Sequence, residues 1–320
     1  MWFKNIRFYR FTAPLDLSAE ALEEKLAEHA FRSGTTFDRT RTGWVSPIGG
    51  DHDALTHSLG DFIMFCARKD EKLLPASVVN DALAEKVAEI EQQQARKISR
   101  KEKAQFKDDV IAALLPRAFS RTRRIHAYLA LHDNLLIINT SSASVAEDMA
   151  SLLRDSIGSL PIALPDLQHA PSEVMTRWLE KQKAGEQFVI NQDCELFNPL
   201  EDSNVIRCKG QDLSSDEIKA HLLAGKQVKK LGLVWNDTLS CVIAADLAVT
   251  RLKFEDMILE RAQETDAESE AQQFDQDFAI MSLEISRLLK SLLAAFGGLS
   301  EVEAGVVAGP LKADQVSGHY

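Results

Sequence analysis

The sequence predicts an α+β protein, and three observations carry that expectation. Short runs with the alternation of half-buried strands are interleaved with stretches whose apolar residues recur at helical spacing. The order strand, helix, strand, strand occurs twice, over residues 2–66 and again over 205–244. Two long helical stretches, 77–115 and 274–296, stand apart from both units. A chain of 320 residues also exceeds what one ordinary core holds, so roughly two domains or more are expected.

Residues 2–11 set Phe3, Ile6, Phe8, Tyr9 and Phe11 among polar neighbours, as a strand does. Ser18 suits a helix N-cap, with Leu22, Leu26 and Ala30 on one face behind it. Glu20, Glu23 and Glu24 favour the positive end of that helix. Thr42-Gly43-Trp44-Val45 and Phe62-Ile63-Met64-Phe65-Cys66 read as strands separated by the polar loop Gly49-Gly50-Asp51-His52-Asp53. In 77–115, Leu83, Val87, Ile90, Ile98, Phe106, Val110 and Leu114 form one apolar stripe. That spacing predicts a single long helix, stopped by Pro116. A hairpin over 125–138, a helix over 144–156 and a strand over 160–164 follow.

The second unit begins with the strand Val205-Ile206-Arg207-Cys208. Its helix is capped by Ser214, carries Ile218 and Leu222 and ends at Gly225. Strands 231–235 and 241–244 follow, joined by the turn Asn236-Asp237. The last helix carries Phe278, Met281, Ile285, Leu288, Leu289 and Leu292 and ends at Gly297-Gly298; what lies beyond reads as a loose tail. The expected division is therefore 1–75, 76–124, 125–170, 171–254, 255–298 and 299–320.

Thirty-seven basic against forty-eight acidic residues give a net charge of −11, which on average repels a polyanion. The average hides a segregation. Residues 96–124 hold ten bases (Arg96, Lys97, Arg100, Lys101, Lys103, Lys107, Arg117, Arg121, Arg123, Arg124) against three acids, a net of +7. Residues 255–277 hold nine acids against Arg261, a net of −8. A second basic group comprises Arg207, Lys209, Lys219, Lys226, Lys229 and Lys230. Either the two segments pair with each other as solvated faces, or the basic one tracks phosphates while the acids turn elsewhere. No zinc-finger spacing, basic zipper or aromatic RNA-recognition signature is present, so any nucleic acid would be held by its backbone and not read by sequence.

The four cysteines (Cys66, Cys194, Cys208, Cys241) lie far apart without CxxC spacing, which suits reduced, mostly buried thiols in a cytoplasmic protein. No signal peptide is read at the N-terminus, and no apolar run approaches the roughly 20 residues that span a bilayer. Phosphate-cradling and nucleophile-elbow motifs are absent, so no cofactor is expected. Two rival functions remain. Asp51, His52, Asp53 and His57 put carboxylates and imidazoles within seven residues, the donor types of a metal-dependent hydrolase. Alternatively, 77–115 is a coiled coil that binds a protein and never touches DNA.

Several longer motifs occur in a fixed order: Met1-Trp2-Phe3-Lys4-Asn5, Gly43-Trp44-Val45, Asp53-Ala54-Leu55-Thr56-His57, Cys66-Ala67-Arg68-Lys69, Leu114-Leu115-Pro116-Arg117-Ala118-Phe119-Ser120, Gly158-Ser159-Leu160-Pro161 and Arg251-Leu252-Lys253-Phe254. Together they resemble the bacterial recombination-associated RdgC family, from residue 1 to about residue 298. The resemblance implies a non-enzymatic, nucleoid-associated DNA-binding protein with little sequence preference. It further implies an elongated, crescent-shaped subunit with long helices as projections, closing as a ring-shaped homodimer around double-stranded DNA. Single-stranded DNA is a further partner class, and occupancy of DNA would hinder the RecA recombinase. On this chain the DNA contacts would fall on Arg96, Lys97, Arg100, Arg117, Arg121, Arg123, Arg124, Lys209, Gln211, Lys226 and Lys229. Gln211 and Lys226 would also serve the dimer interface. Phe119 is either a subunit contact or an ordinary core phenylalanine. Gly210 stands where some relatives carry another lysine, which lowers the charge expected of its loop.

Overall fold

The computed structural model describes residues 1–300 apart from Asp16, Thr36, Asp51 and 263–268, and apart from the side chains of Asp202 and Arg261. Residues 301–320, most of the expected tail, lie outside the described residues. The fold is α+β, built on two antiparallel sheets.

The first sheet takes β1 (Arg7–Phe11), β2 (Thr40–Val45), β3 (Thr56–Leu59), β4 (Phe62–Lys72), β5 (Ser120–Ala130), β6 (Leu135–Ile138) and β7 (Ile162–Ala163). Their order is β2-β4-β5-β6-β1-β7, with β3 folded back on β4. Alternation along β6 shows how the sheet is buried on both faces: Leu136 and Ile138 join one core cluster, Leu135 and Ile137 the other. One face is covered by α1 (Ala19–Glu28) and α4 (Ala143–Ile157), started by the N-caps Ser18 and Ser142. Trp44 is buried on that face and donates through Nε1 to Ser156 Oγ at 2.8 Å.

The other face packs on α8 (Glu270–Ala295), whose Phe278, Met281, Ile285, Leu288, Leu289 and Leu292 are buried. The same cluster takes the inner face of the second sheet, ordered β12 (Val249–Phe254), β11 (Leu239–Ala244), β10 (Gln227–Trp235), β8 (Phe188–Asn198), β9 (Glu201–Cys208). Helices α5 (Pro171–Lys181) and α6 (Asp216–Leu223) complete that layer, and α7 (Asp256–Arg261) follows β12. Ile6 and Val249 exchange both backbone hydrogen bonds, so the chain entering β1 ties the two sheets together.

Several sequence expectations change. The stretch 77–115 is not one helix. It is a helical hairpin, α2 (Ala76–Gln94) and α3 (Arg100–Leu114), broken at Ala95 with φ 51° and restarted by a capping box in which Ser99 and Glu102 bond each other's backbone. Leu83 and Val110 of the apolar stripe, together with Val79, are buried in this hairpin, so its seam is used within the chain. Residues 120–124, expected at the end of the basic helical segment, are strand. The strands β3, β8 and β12 and the helices α5 and α7 have no counterpart among the sequence expectations. The repeated β-α-β-β order recurs, but not its pairing. In the first unit β1 is separated from β2 by three strands, and in the second β9 is separated from β10 by β8.

Candidate nucleic-acid interface

β4 and β5 pair along eleven residues, and their far ends leave the core: Ser120–Arg124 is exposed, opposite Arg68–Lys72. The α2–α3 hairpin is inserted between these two strands, and the Leu73 N–H donates to the Phe119 carbonyl where they meet (2.7 Å). The result is an arm whose return half carries the basic segment. The fifteen residues of α3 span about 22 Å, so Arg96, Lys97 and Arg100 sit at the tip and Arg117, Arg121 and Arg123 at the root. The run of charge seen in the sequence is two clusters.

The pairing of these charges decides what they can do. Among the described residues Lys97, Arg100, Lys101, Lys103, Lys107, Arg117, Arg121 and Arg123 form no ion pair. Arg96 differs. It is held by Glu102 (2.6 Å), which its hydrogen bond, with that of the Ser99 backbone, pulls down to about 2. Arg124 is also engaged: its guanidinium donates to the Ser46 carbonyl and closes on Gly49, a glycine at φ 87°. Beside it, burial foremost pushes His126 down to about 4.

The described part of the acidic stretch does not neutralise the arm. Asp275 pairs with His57 (2.9 Å) and Asp277 with the Met1 ammonium (2.5 Å), and no described acid of 255–277 pairs with a base of 96–124. His57 lies opposite Met64 on β4, so about 27 Å of strand separates this end from Lys72 and the arm.

Two cavities continue the basic surface towards the second sheet. One, of about 750 Å³, lies between α4 and the extended strands and is lined by Lys69, Arg123, Arg124, Ser141, Asp148 and Asp155. The other, of about 500 Å³, lies on the outer face of the second sheet, against Arg7, Ser141, Lys229, Lys230, Asp246 and Arg251. They meet at Ser141, whose carbonyl accepts from Arg7 Nε (3.1 Å). Most of these groove cations are already paired: Arg7 with Asp246 (2.6 Å), Lys69 with Asp148 (3.0 Å) and Arg251 with Asp193 (2.5 Å). Arg207 and Lys230 share Glu195. Burial alone would raise Glu195 and Asp246, but their cationic partners outweigh it and hold both carboxyls below the usual range. Lys229 lies over the Phe197 ring (5.7 Å) and forms no ion pair among the described residues.

Lys209 and Gln211 follow the end of β9, and their loop is latched to β8. Gly210 N–H donates to Asp193 Oδ1 (3.0 Å) and Gln211 N–H to the Gln192 carbonyl (3.0 Å). Lys226 donates to Asn204 Oδ1 (2.7 Å). Phe119 is 84% exposed, which excludes the core alternative, and Leu73 and Val78 at the arm's root are 47% and 45% exposed. The sequence reading missed Arg7 and Lys69 as members of this surface. Strand alternation from Ala67 to Lys69 was the one available signal for the latter.

Of the four proposed metal donors, Asp51 lies outside the described residues and His52 and Asp53 are exposed. His57 packs edge-on against Phe274 of α8. Among the described residues no group of three or more His, Cys, Asp or Glu is placed to hold a metal, and no helix is long and apolar enough to cross a membrane.

A family model described as "Putative exonuclease, RdgC" matches residues 1–299. The chain belongs to the RdgC family. It is 43% identical over 298 residues to a protein of Aeromonas hydrophila, covering 93% of this chain and 98% of that one. It is 42% identical over 307 residues to one of Pseudomonas putida strain KT2440, covering 96% and 100%. Both relatives are named "Recombination-associated protein RdgC". The RdgC family model and the names of these relatives thus describe different kinds of activity, nuclease in one case and association with recombination in the other.

Proposed function

We propose that this RdgC-family chain binds DNA through its phosphates, without sequence choice and without cutting it, and so hinders RecA-dependent strand exchange. The observation that carries this reading is the run of eight cations along the arm that form no ion pair among the described residues, at the far end of β4 from Asp275 and Asp277. Each cation that replaces condensed counterions on a phosphate adds affinity independent of sequence. Lys97, Arg100, Arg117, Arg121 and Arg123 make direct phosphate contacts. Lys209, Gln211, Lys226 and Lys229 extend the track over the second sheet, and Arg96 and Arg124 position their neighbours.

In this reading the subunit is an elongated crescent, and two copies meet head to head and close a ring about the duplex in the nucleoid. The apolar surface of Phe119, Leu73 and Val78 supports one subunit contact at the arm's root, because large aromatics dominate such interfaces. Gln211 and Lys226 belong to the other. In the same reading the chain divides in six: two central sheet units, the arm, the hairpin-helix-strand segment that completes the first sheet, the acidic segment with α8, and the tail.

The test compares linear duplex with covalently closed circular duplex, measuring association by fluorescence anisotropy with magnesium present. A closing ring gives slower association with the circle and leaves both DNAs intact. Equal association rates would refute encirclement, and shortened DNA that chelator protects would replace binding with nuclease action.

A further inference from the structure

Cys194 on β8 and Cys208 on β9 are direct partners across the antiparallel ladder. Residues so paired hold their Cβ atoms roughly 4.5–5.5 Å apart, close to the 3.5–4.5 Å of a disulfide. Small local movement would bridge them, and the surroundings permit it. β9 ends at Cys208, and β8 has just passed an irregularity in which Asn191, Gln192 and Asp193 stand opposite the single Gly232. Both thiols border the core, Cys194 buried and Cys208 half-buried, so Cys208 is the sulfur a small solute reaches. The other two cysteines share none of this: Cys66 lies opposite His126 and Val45, and Cys241 opposite Leu233, each buried.

We infer that Cys194 and Cys208 are a redox-active dithiol, which hydrogen peroxide closes to a disulfide that locks the Lys209–Gln211 loop onto β8. Cys208 sulfur attacks the O–O bond, giving a sulfenic acid and one water. Cys194 sulfur then displaces the hydroxyl from that sulfur, the S–S bond forms, and a second water leaves with the remaining thiol proton. Two electrons pass from the thiols to peroxide, and a small-molecule dithiol returns them. The bond would sit beside two existing latches, since Asp193 and Gln192 already accept from Gly210 and Gln211. Oxidation thus fixes covalently a junction that hydrogen bonds now hold. Only the importance given to Lys209 and Gln211 rests on the proposed DNA reading; the chemistry does not.

The full chain, free of DNA, is treated with hydrogen peroxide, alkylated and digested with trypsin. Cleavage after Arg207 and Lys209 separates the two cysteines, so a disulfide joins peptide 184–207 to Cys208-Lys209. The expected result is that linked pair, lighter by two hydrogens, reversed by dithiothreitol and lost in C208S, while Cys66 and Cys241 stay alkylated as thiols. Amide exchange at Gly210 and Gln211 should slow several-fold on oxidation. Cys208 advancing to sulfinic acid without a link, or a link shared equally with Cys66 or Cys241, would overturn the dithiol. A link with unchanged exchange would overturn the lock.

Discussion

Replacing Arg117, Arg121 and Arg123 together by alanine separates free from engaged cations. These three lie at the arm's root, exposed and, among the described residues, without ion pairs. Each phosphate contact contributes about 0.9 to the slope of log affinity against log salt, so three remove up to about 2.7. Between 50 and 200 mM salt, a fourfold change, that slope corresponds to a loss of about 40-fold, which the variant should no longer show. Anisotropy titration of a random duplex at four salt concentrations measures it. The controls are Arg96→Ala and Arg124→Ala, whose guanidinium groups are spent on Glu102 and the Ser46 carbonyl. Both should leave the slope nearly unchanged, and Arg124→Ala should instead loosen the 46–49 loop. A triple variant that keeps the parental slope, or controls that flatten it equally, would show that pairing within the chain does not decide which cations reach DNA.

Other consequences follow from the same geometry. Phe119→Ala removes the most exposed aromatic of the arm's root and should weaken the proposed dimer by about 2 kcal/mol, roughly 30-fold, seen in sedimentation at micromolar concentration; an unshifted association would place the contact elsewhere. Gly43→Ala would put a methyl 2.6 Å from Phe31 Cα and 2.7 Å from its N, both backbone, so urea melts should show a loss of about 1–3 kcal/mol. His126 takes up its proton only near pH 4 when folded, against 6.5 unfolded. Its contribution is therefore intact above pH 6.5 and lost as the pH falls towards 4, by up to about 3 kcal/mol. His126→Gln should flatten that part of the stability profile.

The elements legible in the sequence are those whose burial and periodicity agree. The α8 stripe, the Ser18 cap and the Asn236-Asp237 turn, with φ of 49° and 54°, all act locally. The arm was misread because Val87, Ile90 and Ile98 keep helical spacing across a break. The Ser99…Glu102 capping box was in the sequence and marked the restart. β8 escaped because Asn191, Gln192 and Asp193 interrupt its alternation at the irregular register. For the site, the basic residues themselves were legible but not their partners: Glu195 between Arg207 and Lys230, or Asp246 beside Arg7, depend on pairing far apart in sequence.

Affinity for two duplexes of unrelated sequence, followed across a salt series, is the most direct measurement. The account predicts parallel, steep lines that superimpose, because free lysines and arginines exchange counterions with any phosphate backbone alike. Shallow lines, or one duplex bound far more tightly at every salt concentration, would contradict it.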